Sequence, residues 1–270
     1  MNIGIIGEGH LGTLLRERLS ISRPNVWTIN RNRWATEGAH FVQKMDMLLI
    51  AVRPSDLQAV MFTIRANAEK TPVISFAAGV RSEDYKYKNL YRAMTNIGIA
   101  RGKANTMVLM PKHITQGLME PKFSNWEDFA NVQDILFELG DLVVIGDGEE
   151  HLLDVHTIIA GSGVAFAAHL QQIWIEWAIG HGMQPDMAAN VVAQVFSTTS
   201  ELIYDEEIPV QDIIDEVATA GGTTAAGLEV LEGNNPEHEA APGTTVESML
   251  HDAFDFAINR NKEISEDGIQ

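Results

Sequence analysis

The stretch Ile3-Gly4-Ile5-Ile6-Gly7-Glu8-Gly9-His10-Leu11-Gly12 decides how the first half of this chain folds. Its short apolar run predicts a strand, and its spaced glycines predict a tight turn into a helix. Gly7 can adopt the turn dihedrals, Gly9 lets a ligand approach the backbone, and Gly12 lets the helix pack close to its strand. The free amides at the helix start favour an anion. The pattern therefore predicts a diphosphate-binding loop, and a glycine-rich turn without a ligand is the alternative.

The composition indicates a globular protein and excludes several classes of function. The chain has 270 residues, of which 45% are hydrophobic and 21% are charged, enough for two domains with a substantial core. Its net charge is −18, from 37 acidic and 19 basic residues, so no nucleic-acid partner is expected. The absence of cysteine excludes disulfides, thiol catalysis and thiolate metal sites.

Two further features predict a cytoplasmic protein without a membrane partner. The chain starts directly with the strand pattern, so no signal peptide is expected. Residues 157–180 are the most apolar helix candidate, but polar side chains in and next to this segment argue against a membrane span. These side chains are His169, Gln171, Gln172, Glu176 and His181.

The first half of the chain alternates short apolar strands with helical stretches. Strands are predicted at 2–6, 26–29, 47–52, 73–77, 90–94, 106–110 and 142–145. Helices are predicted at 10–20, 55–68 and 126–139, and capping boxes are predicted for Ser55 with Gln58 and for Ser124 with Glu127. This alternation predicts an α/β fold with a parallel, doubly wound sheet.

The pattern changes after Gly146-Asp147-Gly148, and no convincing strand follows. Helices are predicted near 150–181, 185–204, 209–217, 224–232 and 245–264, with a further capping box of Thr244 and Glu247. We therefore expect a dinucleotide-binding domain at 1–148 and an all-helical domain at 149–270. Small residues between Ala160 and Ala168 suit a buried helix or a subunit interface, and residues 233–243 predict a loop.

The segment after the second strand, Asn30-Arg31-Asn32-Arg33, points to the cofactor. In dinucleotide folds this position contacts the adenine ribose, where an acid binds the 2′-hydroxyl of NAD and arginine favours the 2′-phosphate of NADP. Arg31 and Arg33 therefore predict NADP(H), with NAD(H) as the second candidate and a solvated basic turn as the alternative. Glu8 is an oddity, because its carboxylate would repel a pyrophosphate unless it points away.

Other cofactor-binding candidates follow the strands, because ligands of open α/β sheets bind at the carboxyl ends of strands. These candidates are Ala51-Val52-Arg53-Pro54 and Ala77-Ala78-Gly79, together with His10 and Leu11 at the first helix start. Asn96 follows a further strand. Taken singly, each segment could also be an ordinary strand end.

The second half contains Gly221-Gly222-Thr223-Thr224 at a predicted helix start. Its backbone amides and hydroxyls suit a ligand carboxylate with a neutral hydrogen-bond partner, and simple helix capping by threonine is the alternative. The histidine spacings predict no metal site, and Ser162 lacks the pattern of a hydrolase nucleophile.

In order along the chain, these segments resemble the pyrroline-5-carboxylate reductase family. The resemblance covers roughly residues 1–232 and resumes weakly over 244–264. The matching pieces are Gly7–Gly12, Asn30-Arg31, Ala51–Pro54, Ser75–Val80, Arg92-Ala93-Met94 with Asn96, Gly161-Ser162-Gly163, and Gly221–Thr224 with Ala226-Gly227-Leu228.

The resemblance implies a Rossmann-type N-terminal domain and an all-α C-terminal domain that forms homodimers or multiples of dimers. It implies that the small-molecule substrate is the cyclic imine pyrroline-5-carboxylate, which is reduced to proline with NADPH or NADH. Gly222, Thr223 and Thr224 would then bind the substrate carboxylate, and the Thr224 hydroxyl would lie near the imine nitrogen as the catalytic group. Asn96 and residues 77–79 would lie beside the nicotinamide.

The chain departs from the family pattern around the implied substrate wall. Thr95, Ile97 and Gly98 replace the usual proline, threonine and proline around Asn96, and Ala160 and Val164 replace a serine and a proline. A reductase of another imine or keto acid is therefore an alternative function. A non-catalytic dinucleotide-binding redox sensor is a second alternative, against which the intact Gly222-Thr223-Thr224 argues.

Overall fold

The computed structural model describes residues 1–112, 114, 126–204, 207–232 and 245–269. The strands are β1 (Ile3–Ile6), β2 (Val26–Ile29), β3 (Met47–Ile50), β4 (Val73–Ser75), β5 (Leu90–Met94), β6 (Ala104–Leu109) and β7 (Gly140–Ile145). In the first half, the helices are α1 (His10–Leu19), α2 (Arg31–Val42), α3 (Pro54–Asn67) and α4 (Trp126–Phe137). The helices that follow are α5 (Leu152–His156), α6 (Gly163–Gly180), α7 (Pro185–Tyr204), α8 (Val210–Val217), α9 (Thr223–Leu231) and α10 (Val246–Ile269).

The described strands form one seven-stranded sheet in the order β2-β1-β3-β4-β5-β6-β7. β1 is parallel to both neighbours, and Ile6 at its end pairs with Ile29 on one side and Ile50 on the other. The carboxyl ends of β1, β2 and β3 therefore meet at one edge of the sheet. All residues of β1 and β3 are buried, as expected for central strands covered on both faces.

Helices cover both faces of this sheet. On one face, Leu15 of α1 and Val132 of α4 pack with Ile5 in a buried apolar cluster. On the other face, Val42 of α2 and Leu57 of α3 belong to a second buried cluster. Each such side chain, fully buried, contributes about 1.5–3 kcal/mol to folding. The sheet is doubly wound, and the predicted fold class is confirmed.

The expectation of a wholly parallel sheet is wrong at one pair of strands. β6 runs antiparallel to β5, with Arg92 opposite Leu109 and Met94 opposite Met107. Residues 95–103 between the two strands form only a short 3-10 turn, Ile97–Arg101, before β6 begins. A parallel connection needs a crossover of a dozen or more residues, so this short segment can only return the chain antiparallel.

The structure contains a helix that the sequence patterns did not predict. Asn30-Arg31-Asn32-Arg33 does not form a turn but begins α2. The Asn30 Oδ1 accepts a hydrogen bond from the Arg33 amide at 3.1 Å, which satisfies one free donor of the first helical turn. The basic segment at the end of β2 is therefore held in a helical conformation.

The predicted capping boxes have different outcomes. Ser55 does not cap α3, because the helix begins at Pro54 and its N-cap, Arg53, makes no side-chain capping bond. Ser124, Thr244 and the predicted loop 233–243 lie outside the described residues. One position after Thr244, Thr245 and Ser248 form a reciprocal pair in which each hydroxyl accepts the other residue's amide, at 2.9 and 3.0 Å.

The second half of the described chain is helical, as predicted. A π-helical turn, Thr157–Ser162, joins α5 to α6. The chain divides into two compact units, one of Met1–Val164 with Ala257–Gln270 and one of Ala165–Phe256. The functional boundary at residue 148 stays a prediction.

A buried ion pair connects β5 to the segment that precedes α5. Arg92 is 2% exposed, and its Nη1 lies 2.5 Å from Glu150 Oε1. The Ser82 amide and hydroxyl also donate to the Glu150 carboxylate, at 2.7 and 3.1 Å. Burial alone raises the pKa of Glu150, but the bond and charge of Arg92, with the Ser82 bonds, outweigh it and lower that pKa. The pair therefore stabilises the folded state only while Glu150 is ionised.

Replacing Glu150 with glutamine should weaken the fold most at neutral pH. We expect Glu150→Gln to lower the free energy of unfolding by about 3 kcal/mol, because it leaves the buried Arg92 charge without a counterion. A lowered folded-state pKa gives stability that is present above the unfolded value, about 4.3, and lost as pH falls through the folded value. The difference between variant and wild type should therefore shrink on acidification.

Urea unfolding in a series from pH 7 down to about pH 2.5, which extends below the unfolded pKa, would measure this effect. Glu83→Gln is the matched control, since Glu83 is exposed on the neighbouring turn. A Glu150→Gln protein with the wild-type dependence of stability on pH would show that the pair does not stabilise the fold.

Candidate functional site

The glycine loop between β1 and α1 has the geometry of a diphosphate-binding turn. Gly7 has a φ of +109°, and a Cβ there would lie 2.6 Å from the Ala51 carbonyl oxygen. A Cβ on Gly12 would lie 1.8 Å from the Gly7 carbonyl oxygen. Both positions therefore require glycine for the fold itself. A Cβ on Gly9 meets nothing within 4 Å, so packing within the chain does not require glycine at this position.

The start of α1 presents free backbone donors. Gly9 is the N-cap, no side chain caps the helix, and its first turn contains no acidic residue. The first amides of a helix have no partner within the helix and carry the positive end of its dipole. Gly9 and His10 are exposed, so an anion can reach these amides.

A cleft of about 660 Å³ opens at the carboxyl ends of β1, β2 and β3. Of the predicted cofactor-binding residues, the cleft is lined by Gly7, Gly9, Asn30, Arg31, Ala51, Val52 and Arg53. It is also lined by residues that sequence reasoning missed, including Glu8, Asn32, Trp34, Asp56 and Val60. Asn32 and Trp34 were missed because they belong to helix α2, which the sequence patterns did not predict.

The other predicted cofactor-binding residues do not line this cleft. His10 is exposed at the start of α1, Leu11 packs against the core and Gly12 is buried. Pro54 begins α3, and Ala77-Ala78-Gly79 follows β4, with Gly79 at a φ of +73°. Arg33 lines a separate depression of about 460 Å³ beside Trp27 and Thr28.

Acidic side chains pair with both arginines after β2. The Arg31 guanidinium lies 3.4 Å from Asp56 Oδ1, and its side chain is 86% exposed. The Arg33 guanidinium lies 2.5 Å from Glu37 Oε2. Both pairs are exposed and weak, so the arginines can exchange these partners for a ligand phosphate.

Asn96 anchors the π-helical turn. Its Oδ1 accepts the Gly98 amide at 2.9 Å, and its Nδ2 donates to the Ala160 carbonyl at 3.0 Å. A π-helical turn leaves carbonyl groups without their usual partner, and such turns are frequent at functional sites. Asn96 therefore holds the turn, and one amide hydrogen remains for a ligand.

His156 directly precedes this turn and is buried. Its Nε2 lies 2.8 Å from the Asn105 Oδ1, and burial lowers the pKa of the imidazole. A neutral imidazole at physiological pH follows from that direction. No group of three or more acidic or histidine side chains in the described part of the chain could hold a metal.

The turn before α9 is free of side-chain caps. Gly221 has a φ of +73°, Gly222 is the N-cap, and no side chain bonds to the helix start. Within the described residues, the hydroxyls of Thr223 and Thr224 have no hydrogen-bond partner, so threonine capping does not occupy them. Thr223 is exposed and Thr224 is half-buried. The Gly222 amide donates to the Thr219 carbonyl at 2.9 Å, so the amides and hydroxyls of Thr223 and Thr224 are the donors available to a ligand carboxylate.

One continuous helical segment, Leu152–Gly180, is long and apolar enough to cross a membrane by length and composition, with a mean hydropathy of 1.3 over an 18-residue window. Several large apolar side chains on it are exposed, among them Ile173, Trp174 and Trp177. Exposed aromatic and aliphatic groups of this size mark a protein or membrane contact.

Comparison with known proteins supplies the family context for these features. The family model described as pyrroline-5-carboxylate reductase dimerisation matches residues 150–264. Pyrroline-5-carboxylate reductase of Aquifex aeolicus is 24% identical over 86% of this chain and 89% of its own. That of Synechocystis is 29% identical over 69% of this chain and 67% of its own.

A solved structure shares the fold over nearly the whole chain. The Plasmodium falciparum pyrroline carboxylate reductase with NADP bound superposes with a TM-score of 0.80 at 20% identity, and the match covers 98% of each chain.

Alanine at two positions of the loop should affect two different properties, NADPH binding at Gly9 and stability at Gly12. Gly9→Ala should keep the wild-type stability, because its Cβ enters open space, and should weaken NADPH binding at least about tenfold by blocking the approach of a diphosphate. Gly12→Ala should lower the free energy of unfolding by about 3 kcal/mol through its backbone clash.

Thermal unfolding and fluorescence titration with NADPH would measure both effects. Each variant serves as the control for the other. A Gly9→Ala protein that binds NADPH like wild type would contradict the diphosphate role of the loop.

Proposed function

Because the chain belongs to the pyrroline-5-carboxylate reductase family, we propose that it reduces pyrroline-5-carboxylate to proline with NADPH. One observation carries this proposal: the chain combines two ligand-binding turns. The first is the open diphosphate-type loop at residues 7–12. The second is the uncapped turn at residues 221–224, which lies inside the region that matches the dimerisation family. NAD(H) is the second cofactor candidate.

The cofactor role belongs to the cleft above β1, β2 and β3. The amides at the start of α1 would hold the pyrophosphate, and Asn30 and Arg31 would hold the adenosine end. Arg33, which lines the separate depression beside Thr28, would contact the same end from outside the cleft. Residues 51–54 and 77–79 would line the path toward the nicotinamide. Bound NADPH would supply a hydride for the imine carbon.

The substrate role belongs to the turn before α9. We assign the substrate carboxylate to the turn of Gly222, Thr223 and Thr224, where the free amides are those of Thr223 and Thr224 because Gly222 donates to Thr219. We assign Asn96 to the substrate wall. The hydroxyl of Thr224 would hydrogen-bond the imine nitrogen and relay the proton that the product amine keeps. In the overall reaction a hydride is added to carbon, a proton is added to nitrogen, and the dinucleotide is oxidised.

This chemistry does not need a strong acid or base. A protonated imine is already electrophilic, so the main contribution of the protein is alignment of the reacting carbons. Orientation of this kind can supply about 7–11 kcal/mol of barrier reduction in favourable systems. An uncharged hydroxyl suffices beside the nitrogen, which agrees with the partner-free hydroxyls of the turn.

The match to the dimerisation family supports assembly into oligomers, and we infer a homodimer or a multiple of dimers. Exposed apolar side chains on α6 and α7, including Trp174, Trp177 and Val191, would be covered by the second copy. We also infer a cytoplasmic location without membrane or nucleic-acid partners, and a functional division at residue 148.

A substrate panel tests the proposed reaction. NADPH oxidation should be fast with pyrroline-5-carboxylate and slow with cyclic imines that lack a carboxylate and with keto acids. The former lack the group assigned to the turn before α9, and the latter lack the imine nitrogen assigned to Thr224. Turnover with the other compounds alone would assign the chain to a different reductase. NADPH binding without turnover of any compound would favour a redox sensor.

Loss of the Thr224 hydroxyl should lower kcat more than it changes KM. Thr224→Val keeps the shape of the side chain and should lower kcat about 10²-fold, since the proton relay is lost while the carboxylate stays on backbone amides. Thr224→Ser should restore most of the rate. Thr199→Val, on the exposed surface of α7, is the control, and an unchanged kcat in Thr224→Val would remove the threonine from the mechanism.

A further inference from the structure

Glu8 belongs to the glycine loop, but its carboxylate is anchored at the end of β2. Its Oε1 accepts the Thr28 hydroxyl at 2.6 Å, and its Oε2 accepts the Asn30 Nδ2 at 3.0 Å. The side chain therefore turns away from the amides at the start of α1. This position explains how an acid can lie within a pyrophosphate loop.

The end of β2 is where this fold distinguishes the two dinucleotides. An acid at that place binds the free 2′-hydroxyl of the adenine ribose. In this chain the corresponding residue is Asn30, whose Oδ1 caps α2 through the Arg33 amide at 3.1 Å. The Asn30 Oδ1 is therefore bonded to the start of α2, and its Nδ2 is bonded to Glu8. The acid that β2 lacks is therefore provided by the glycine loop.

The Glu8 carboxylate retains capacity for a ligand. A carboxylate offers about four acceptor positions, and the two protein bonds occupy one on each oxygen. Glu8 is exposed and lines the cleft with Asn30 and Arg31. The Thr28 and Asn30 bonds lower the pKa of Glu8, so the group is an anion at neutral pH.

Arg31 lines the same cleft as Glu8. Its guanidinium is exposed and lies 3.4 Å from Asp56, an ion pair that a ligand phosphate can replace. A 2′-phosphate would gain the Arg31 charge but meet the Glu8 charge, whereas a 2′-hydroxyl would donate to Glu8 and need no cation.

We propose that Glu8 selects the ribose: it binds the 2′-hydroxyl of NADH, disfavours the 2′-phosphate of NADPH, and so gives this reductase use of both cofactors. The inference rests on the proposed function only in taking the cleft as the dinucleotide site.

The test compares NADH and NADPH binding to the full-length protein by fluorescence titration. Glu8→Gln keeps the shape and the Thr28 contact but removes the charge, and it should shift the affinity ratio toward NADPH by about tenfold. Arg31→Ala should shift the ratio toward NADH. Glu17→Gln, an equal charge change on the exposed face of α1, should leave both affinities unchanged.

Two results would overturn the inference: an unchanged affinity ratio in Glu8→Gln, with or without an equal loss of both affinities, or a wild-type protein that binds neither nucleotide. The last result would also overturn the proposed function. Wild-type binding of both nucleotides without turnover of pyrroline-5-carboxylate would overturn the function alone, because the binding ratio does not depend on the substrate.

Discussion

The contact on which the rest of the structure depends is the approach of α1 to the end of β1. The Gly12 Cα faces the Gly7 carbonyl so closely that a side chain there has no room, and Gly7 itself adopts a φ of +109° beside Ala51. These two glycines allow the helix to start directly at the sheet edge, where its free amides open into the cleft. The residues that follow β2 and β3 reach the same cleft because both strands are in parallel register with β1.

The two ligand-binding turns use backbone groups rather than a strong positive field. The chain carries a net charge of −18, yet the ligands proposed for it are anions. At the starts of α1 and α9 an N-cap glycine replaces a capping side chain, so the helix amides stay unpaired. The nearby arginines are already partnered by Asp56 and Glu37. Recognition is therefore local, and long-range attraction contributes little to it.

Glycine spacing and apolar periodicity predicted the structure well, whereas a polar helix start, a short connection between two strands and contacts across the chain were not predicted. The glycine loop carries its turn, approach and packing requirements within a few residues, so its geometry could be predicted. Helix α2 could not, because its polar first turn, Arg31-Asn32-Arg33, resembles a solvated turn until Asn30 caps it. The antiparallel β6 depended on the shortness of residues 95–103. The role of Glu8 depended on Thr28 and Asn30, which are 20 and 22 residues away and meet it only after β2 has docked beside β1.

The pair of Arg92 with Glu150 limits how the chain can be divided into modules. The match to the dimerisation family begins at residue 150, and a functional boundary is expected at 148. A fragment that ended there would retain Arg92, which is 2% exposed, and lose the carboxylate that neutralises it. An isolated charge at such a depth costs several kcal/mol. An N-terminal piece able to fold by itself must therefore include Glu150. Transfer of this nucleotide-binding half to another protein would need to carry the first residues of the region that matches the dimerisation family.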